Sequence, residues 1–357
     1  CNVEEIQPNF LSNCTNLTTL SLSGFGNVKT IGNNFLSGCT GLTSLNLYDF
    51  NSVTEINDSF LTGCSNLTSI DMSCFDNLEI IGNKFASGCI KLVNLNLENV
   101  TKVEEVGEDF ASNCGLITLS LVDFKTSLAY IGNNFFKGCT ALETVTTIDE
   151  QDPLDPGFRA LVEVGNSFFD GCSALTSMEL TKLNNIIRLG SNFFNGCSSL
   201  TSLSLENLIS INTINNNFLS GCSKLTSIDI GTLINVRTIT DNFLKNWKLN
   251  KIILPEEYHV GFAKAFSSLA KANHWYGTNQ NSGKFIIPAE TINLYAHDWG
   301  YNDTDIQRHI VEKGKGYISL KSTYTYTLID DFNVEKVCGQ GDLNIPTVAG
   351  HITVAAN

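Results

Sequence analysis

Residues 32–47 read GNNFLSGCTGLTSLNL, and related stretches recur along most of the chain at 25-residue intervals. The cysteine of this stretch belongs to a column that pauses once, for an eight-residue insertion, and comprises Cys14, Cys39, Cys64, Cys89, Cys114, Cys139, Cys172, Cys197 and Cys222. Trp247 occupies the next position of the column, and a phenylalanine precedes each of these ten positions by four residues. Such a period predicts stacked coils, each of which buries the apolar side of its neighbour.

Each coil has two parts with different patterns. After each cysteine most coils continue as L-x-x-L-x-L, as in Leu42, Leu45 and Leu47, and the alternation at its end predicts a short strand. Residues 31–39 predict one helical turn, with Asn33 capping its first amides and Gly38 ending it in the left-handed conformation. The prediction is an α/β solenoid with a parallel β-sheet on the concave face and short helical turns on the convex face.

The column pattern G-x-x-F-x-x-C-x-x-L-x-x-L-x-L resembles the BspA-like class of leucine-rich repeats, most plainly over residues 32–42. The resemblance covers about residues 1–254, although the coils are slightly longer than is usual in that family. It implies a leucine-rich-repeat solenoid. It also implies a bacterial or protist surface protein that adheres to host proteins or to other cells.

Three regions follow from the pattern. Residues 1–254 form the solenoid of about ten coils, which opens in mid-repeat without an N-terminal cap in view. A removed or absent upstream part explains this start better than a lipid-modified Cys1, since no flexible polar tether follows that residue. Residues 255–283 are predicted to form a helical C-terminal cap, with the helix itself over 256–276. Residues 284–357 form a small β-rich segment of open topology, with strands near 285–287, 317–320, 324–329 and 352–354.

Charge and hydropathy exclude several classes of partner. The net charge of −14 disfavours nucleic acid and anionic membrane, because both repel an acidic surface. No apolar run approaches the roughly 18 residues of a membrane span, so no direct membrane insertion is predicted.

The cysteine column allows disulfide, metal-binding or packing interpretations. Neighbouring thiols lie within reach of a disulfide, but their side chains should point in parallel, and no histidine accompanies them in the repeats. Trp247 in the same column favours packing, so we predict buried free thiols, no metal and no cofactor. Cys1, Cys74 and Cys338 lie off the column and cannot be paired from the sequence.

Candidate binding residues lie on the predicted concave face and in the insertion. The concave face is either a solvated polar sheet or a polar contact surface, and its candidates are Tyr48, Asp71, Glu98, Glu179, Glu206 and Asp229. An ice-binding array is disfavoured because serines dominate and acids interrupt it. The insertion contributes the contact candidates Asp149, Glu150, Asp152 and Asp155. Their spacing does not match a Ca²⁺-binding loop, so a solvated loop is the simpler interpretation.

No arrangement of residues indicates an enzyme. All five histidines and Cys338 lie in the C-terminal part, but no phosphate-binding loop or HExxH helix occurs. The sequence therefore predicts a cell-surface or secreted adhesion protein that recognises a protein or glycan on another cell or matrix. The alternative is a structural spacer or assembly subunit of a surface layer or filament, and a hydrolase in the C-terminal segment comes third.

Overall fold

The chain divides into two compact units. One comprises Cys1–Leu225 with Asn235–Trp247, and the other comprises Thr226–Ile234 with Lys248–Asn357. The computed structural model describes residues 3–147, 157–180, 183–206, 208–240, 243, 251–255, 257, 259, 261–264, 266, 284–287, 291–301, 310–312, 317–321, 325–329 and 334–338.

The first unit is built from short strands joined by turns. Its elements are β1 (Glu5–Ile6), β2 (Thr19–Ser21), β3 (Thr30–Ile31), β4 (Ser44–Asn46), β5 (Glu55–Ile56), β6 (Ser69–Asp71), β7 (Ile80–Ile81), β8 (Asn94–Asn96), β9 (Glu105–Val106), β10 (Thr118–Ser120), a 3₁₀ helix (Val122–Thr126), β11 (Tyr130–Ile131), β12 (Thr144–Thr146), β13 (Glu163–Val164), β14 (Ser177–Glu179), β15 (Arg188–Leu189), β16 (Ser202–Ser204), β17 (Thr213–Ile214) and β19 (Thr238–Ile239). The predicted coils are confirmed, with two strands in most of them.

The strands that follow each cysteine, here called L-x-L strands, pair in parallel as predicted. In each of them the middle side chain is buried or half-buried while its two neighbours are exposed or half-buried, as the alternation of the sequence requires. The pairing is not continuous, because ladders join β2 to β4, β6 to β8, β10 to β12 and β14 to β16. The continuous sheet lies elsewhere in the coil.

Ten two-residue strands form that continuous sheet, here called the return sheet, in the order β1-β3-β5-β7-β9-β11-β13-β15-β17-β19. All of its pairs are parallel, and residues of one sequence column face each other, as Glu55 faces Ile80 and Ile56 faces Ile81. The second residue of most of these strands, such as Ile56, is buried, while the first is exposed or half-buried. Residues that share a column in the sequence are therefore paired with each other in the sheet.

The predicted helical turn on the convex side is not helical, and this part of the prediction is corrected. Residues 33–38 form hydrogen-bonded turns in which Asn34, Leu36 and Gly38 all have positive φ, at 60°, 54° and 74°. Their amides point to neighbouring coils: the Asn34 amide donates to the Asp58 carbonyl and the Gly38 amide to the Thr62 carbonyl, each at 2.8 Å. Alternating handedness prevents a helix, whereas the left-handed Gly38 itself was predicted correctly.

Asn33, which was expected to cap the helical turn, instead begins a ladder of hydrogen bonds between coils. The Asn33 side chain accepts a hydrogen bond from the Asp58 amide at 3.0 Å, and the Asp58 side chain accepts one from the Asn83 amide at 2.8 Å. Asn83 continues the series by accepting from the Glu108 amide at 2.8 Å. Each side chain thus satisfies a backbone donor of the next coil rather than one of its own.

Stacked phenylalanines fill the core of the first unit. Phe35, Phe60, Phe85, Phe110 and Phe135 are buried, and the ring centroids of neighbours lie 4.6–5.1 Å apart in stacked arrangements. Because the rings belong to successive coils, each ring is covered only when both neighbouring coils are in place.

The second unit contains β18 (Ser227–Asp229), β20 (Lys251–Ile253), β21 (Lys284–Ile287), helix α1 (Ile292–Trp299), β22 (Ile310–Glu312), β23 (Tyr317–Lys321), β24 (Thr325–Ile329) and β25 (Val334–Cys338). Parallel pairing runs through β18, β20, β21 and β22, so the stacking of strands continues beyond Leu254. The last three strands form an antiparallel sheet.

Helical residues of the second unit pack around Trp299. Residues 261–264 and 266 are helical, within the predicted cap helix, whereas α1 was not predicted from the sequence. The Trp299 indole donates a hydrogen bond to the Ala263 carbonyl at 2.8 Å, and its ring centroid lies 4.3 Å from that of Phe285. The predicted strand at 352–354 lies outside the described residues.

Replacing Phe85 by alanine should destabilise the first unit by about 3–5 kcal/mol, because it leaves a cavity between the Phe60 and Phe110 rings. Urea unfolding monitored by circular dichroism measures this loss. Ile90→Ala is the matched control, since Ile90 is 62% exposed, and it should change the free energy of unfolding little. Equal losses in the two variants would contradict the stacked core.

Candidate functional site

The L-x-L face consists of the two outer side chains of each L-x-L strand and the residue two positions beyond the strand. At several strand ends a polar side chain accepts a hydrogen bond from the amide two residues later. The accepting oxygens of Asn46, Asp71 and Asn96 lie 2.9–3.1 Å from those amides, and Asp229 makes the same turn in the second unit. Asp71 and Asp229, both candidates from the sequence, thus have a structural role in ending their strands.

Tyr48 is the most prominent side chain of this face. It is 78% exposed, and it borders a cavity of about 310 Å³ that Asn46, Asp71, Ser73 and Cys74 also line. The cavity is at the small end of the range for ligand sites. Within the described residues no backbone hydrogen bond joins β4 to β6 beneath it; the Cys74 thiol instead donates to the Leu47 carbonyl at 3.0 Å.

Asp71 supplies a negative charge beside Tyr48. Partial burial raises the pKa of Asp71, but hydrogen bonds from the Ser73 amide and hydroxyl and from the Asn96 side chain outweigh it, so the pKa lies below its usual value. The carboxylate is therefore ionised at neutral pH, and its position is set by two neighbouring residues.

The other candidates of the L-x-L face do not converge with Tyr48. Glu98, Glu179 and Glu206 are exposed on separate coils of the first unit, and Asp229 belongs to the second unit. No lysine or arginine occupies any position of this face in the first unit. The acids of this face are therefore spread among neutral polar residues, without one focal cluster. The insertion candidates Asp149, Glu150, Asp152 and Asp155 lie outside the described residues.

The cysteine column is a ladder of thiols that serve the backbone. Cys39 to Cys222 are free and buried, and each thiol donates to a carbonyl oxygen of the preceding coil at 3.0–3.2 Å. Most of these carbonyls also accept the amide of the cysteine in their own coil, as the Leu36 carbonyl accepts from the Cys39 amide at 3.2 Å, so the thiol of the next coil fills their second acceptor position. The prediction of buried free thiols is confirmed for this part of the column.

Burial also makes several of these thiols weaker acids. Desolvation raises the pKa of Cys39 to about 11, and it raises the pKa values of Cys139 and Cys222 to about 12. Half-buried Cys74 has its pKa raised to about 11, first by burial and further by Asp71 and Asp76. Since the thiolate is the nucleophile and the metal ligand, this environment opposes both roles at neutral pH.

Among the described residues, no three histidine, cysteine or acidic side chains lie where they could share a metal ion. His297 is exposed beside Asp298, with 3.3 Å between Nδ1 and Oδ1, while His259 accepts a hydrogen bond from the Phe262 amide. No helix in the described part is long and apolar enough to span a membrane.

The structure reveals a second surface that was missed in the sequence. The return face consists of the outward residue of each return strand and the residue before it. It therefore contains Glu4, Glu5, Lys29, Thr30, Thr54, Glu55, Glu79, Ile80, Glu104, Glu105, Ala129, Tyr130, Val162, Glu163, Ile187, Arg188, Asn212, Thr213, Arg237 and Thr238. Its tyrosine and arginines are residue types common at binding hot spots. The signal in the sequence is the apolar column that contains Ile31, Ile56 and Ile81, because the outward residues directly precede it.

A cavity of about 360 Å³ opens on the return face between Tyr130 and Arg188. The Arg188 guanidinium pairs with the Glu163 carboxylate at 2.6 Å, and both side chains are partly exposed. The cavity is lined by Gly165 and Gly190, and Gly132 precedes them in the same column. A Cβ atom at any of these three glycines would overlap the backbone of the preceding coil. The glycines thus reflect close backbone stacking rather than ligand binding.

The family model for the BspA type leucine rich repeat region matches residues 4–143 and 159–273 in six copies. The chain belongs to this family, in agreement with the resemblance noted from its columns. A comparison with curated proteins found no significant match.

Several solved structures are similar to the chain. A leucine rich cell surface protein from Faecalibacterium prausnitzii A2-165 is 22% identical, with 71% of each chain covered and a TM-score of 0.44. The leucine rich repeat protein of T. pallidum is 23% identical over 56% of this chain and 72% of that chain, with a TM-score of 0.38. A leucine-rich repeat protein from Bacteroides ovatus ATCC 8483 is 18% identical over 80% and 88%, with a TM-score of 0.33. These likenesses are too distant to indicate a partner.

The thiol environments predict an order of reactivity with iodoacetamide. At pH 8 Cys39, Cys139 and Cys222 should react only as fast as the first unit unfolds, because they are buried and their raised pKa values keep them protonated. Cys74 should react faster than Cys139 but more slowly than free cysteine, and its rate should rise as the pH approaches 11. Peptide mapping by mass spectrometry measures each site. Rapid labelling of Cys139 in folded protein would contradict the ladder.

Proposed function

We propose that this chain is a surface-exposed or secreted binding protein that holds a protein or glycan partner on its L-x-L face. Proteins of this family are often surface proteins that mediate binding. The observation that carries the proposal is Tyr48, a largely exposed aromatic ring beside a cavity and an ionised carboxylate. Leaving such a ring in water is unfavourable, and covering it with a partner recovers that energy.

The charge of the face favours some partner chemistries over others. Asp71, Glu98, Glu179 and Glu206 project from the face, and no cation of the same face neutralises them. Partners with lysine or arginine, or neutral sugars with many hydroxyl groups, fit such a surface. Strongly anionic glycans and nucleic acid are repelled by it. The proposal assigns binding, and no catalytic step, to the chain.

Retention of surface and matrix molecules from the native setting tests this function. The full chain is immobilised, and bound molecules are identified and then titrated as purified partners. Tyr48→Ala should weaken binding by about tenfold or more, because an aromatic at the centre of a contact contributes disproportionately. A charged partner should also be released as ionic strength rises.

Ile90→Ala is the control, since it removes a large side chain that is 62% exposed and belongs to neither the L-x-L face nor the return face. If Tyr48→Ala and a Glu98→Gln/Glu206→Gln double variant both bind the partner as tightly as the unchanged chain, recognition lies away from the L-x-L face. The insertion or the C-terminal segment would then be the remaining surfaces. Failure to retain any partner would remove the main support for an adhesive role.

A further inference from the structure

The two halves of the return face carry opposite charge. The first half, from β1 to β9, presents six glutamates and one lysine, and Lys29 is itself 3.8 Å from Glu4. The second half, from β11 to β19, presents one glutamate and two arginines, Arg188 and Arg237. A surface divided in this way is complementary to itself after a rotation that exchanges its halves.

Apolar side chains are also concentrated on this face. Tyr130, Val162 and Ile187 lie on or immediately before the successive strands β11, β13 and β15, and each is 40–41% exposed. Ile80 lies in the first half and is 42% exposed. Adjacent exposed apolar residues next to an arginine are typical of a protein contact surface.

We propose that the return face binds the return face of a second copy of this chain, forming a two-fold dimer. The two-fold axis runs parallel to the strands, between β9 and β11, so that β1 of one copy faces β19 of the other and β5 faces β15. An axis along the stacking direction would instead place the acidic halves together. Charge therefore selects the first arrangement.

The register of the sheet makes the predicted pairs specific. Rotation about an axis parallel to the strands leaves each residue in its own column, so Glu55 on β5 faces the second copy's Arg188 on β15. In the preceding column Glu4 faces the second copy's Arg237. Ile80 on β7 faces the second copy's Glu163 on β13, and Val162 lies in the adjacent column. Because symmetry produces each pair twice, the dimer contains four such ion pairs.

The existing Arg188–Glu163 contact is compatible with this arrangement. It is an exposed pair and contributes little to stability, and the guanidinium has further donors available for Glu55 of the second copy. The L-x-L face offers no comparable self-complementarity, because acidic residues on that face meet no lysine or arginine.

The size of the surface predicts weak association. Ten strands at about 4.8 Å spacing make a strip about 43 Å long, and a width of roughly 15 Å gives about 650 Å² on each copy. That area is at the low end for specific complexes, so dissociation constants in the micromolar range are expected. Association should weaken with salt, because rim charges contribute to it.

Sedimentation equilibrium of the full chain, with charge-reversal variants, tests the dimer. Glu55→Arg and Arg188→Glu should each weaken self-association by about tenfold or more, because each variant brings like charges together. An equimolar mixture of the two should associate again, since both the Glu55–Arg188 pair and its reversed counterpart are then restored. Lys137→Glu, an exposed charge change outside the face, should leave association unchanged.

The mixing experiment separates an interface from a folding defect, because two misfolded variants would not rescue each other. Circular dichroism confirms that each variant is folded. A wild-type chain that stays monomeric up to its solubility limit would overturn the proposal. So would a dimer that Arg188→Glu and Glu55→Arg weaken no more than Lys137→Glu does. Both results are independent of whether the L-x-L face binds its partner.

Discussion

Hydrogen bonds between successive coils are the interaction on which the first unit depends. In the turns, the amides of Asn34 and Gly38 donate to carbonyls of the following coil, and the strands pair only with neighbouring coils. A single coil therefore cannot satisfy its own backbone or cover its own apolar side. Each residue lies next to the equivalent residue of the neighbouring coil and must be compatible with it. For this reason phenylalanine stacks on phenylalanine, and asparagine bonds to the amide of the next coil.

The same constraint explains why so much of the polar chemistry is structural. The cysteine thiols donate to carbonyls, and Asn33 and Asp58 accept from amides, so residue types that suggest metal binding or catalysis are used by the backbone. Asp71 combines both situations: it ends its strand and also presents an ionised carboxylate beside Tyr48. A residue of this fold is free for recognition only where its side chain projects from the stack.

The L-x-L face and the return face both meet that condition, and they differ in chemistry. The L-x-L face is acidic and polar with one prominent aromatic ring, whereas the return face combines Tyr130, Ile187 and Arg188 with an acidic first half. A chain with these two faces could hold a partner on one while contacting a second copy through the other, since different side chains are involved. Multiple weak contacts presented together bind a surface more tightly than one contact alone.

The sequence by itself determined the coil, its 25-residue period, the buried columns and the left-handed glycine at Gly38, because stacking makes each column visible as a repeat. It could not show that residues 33–38 are turns, since asparagine, serine and glycine suit a capped helix as well as alternating left-handed turns. Only the tertiary structure decided that the continuous sheet is the return sheet, because pairing depends on which backbone groups of neighbouring coils meet. The columns align Tyr130 with Arg188, but only the pairing of their strands through β13 shows that both project from one continuous sheet.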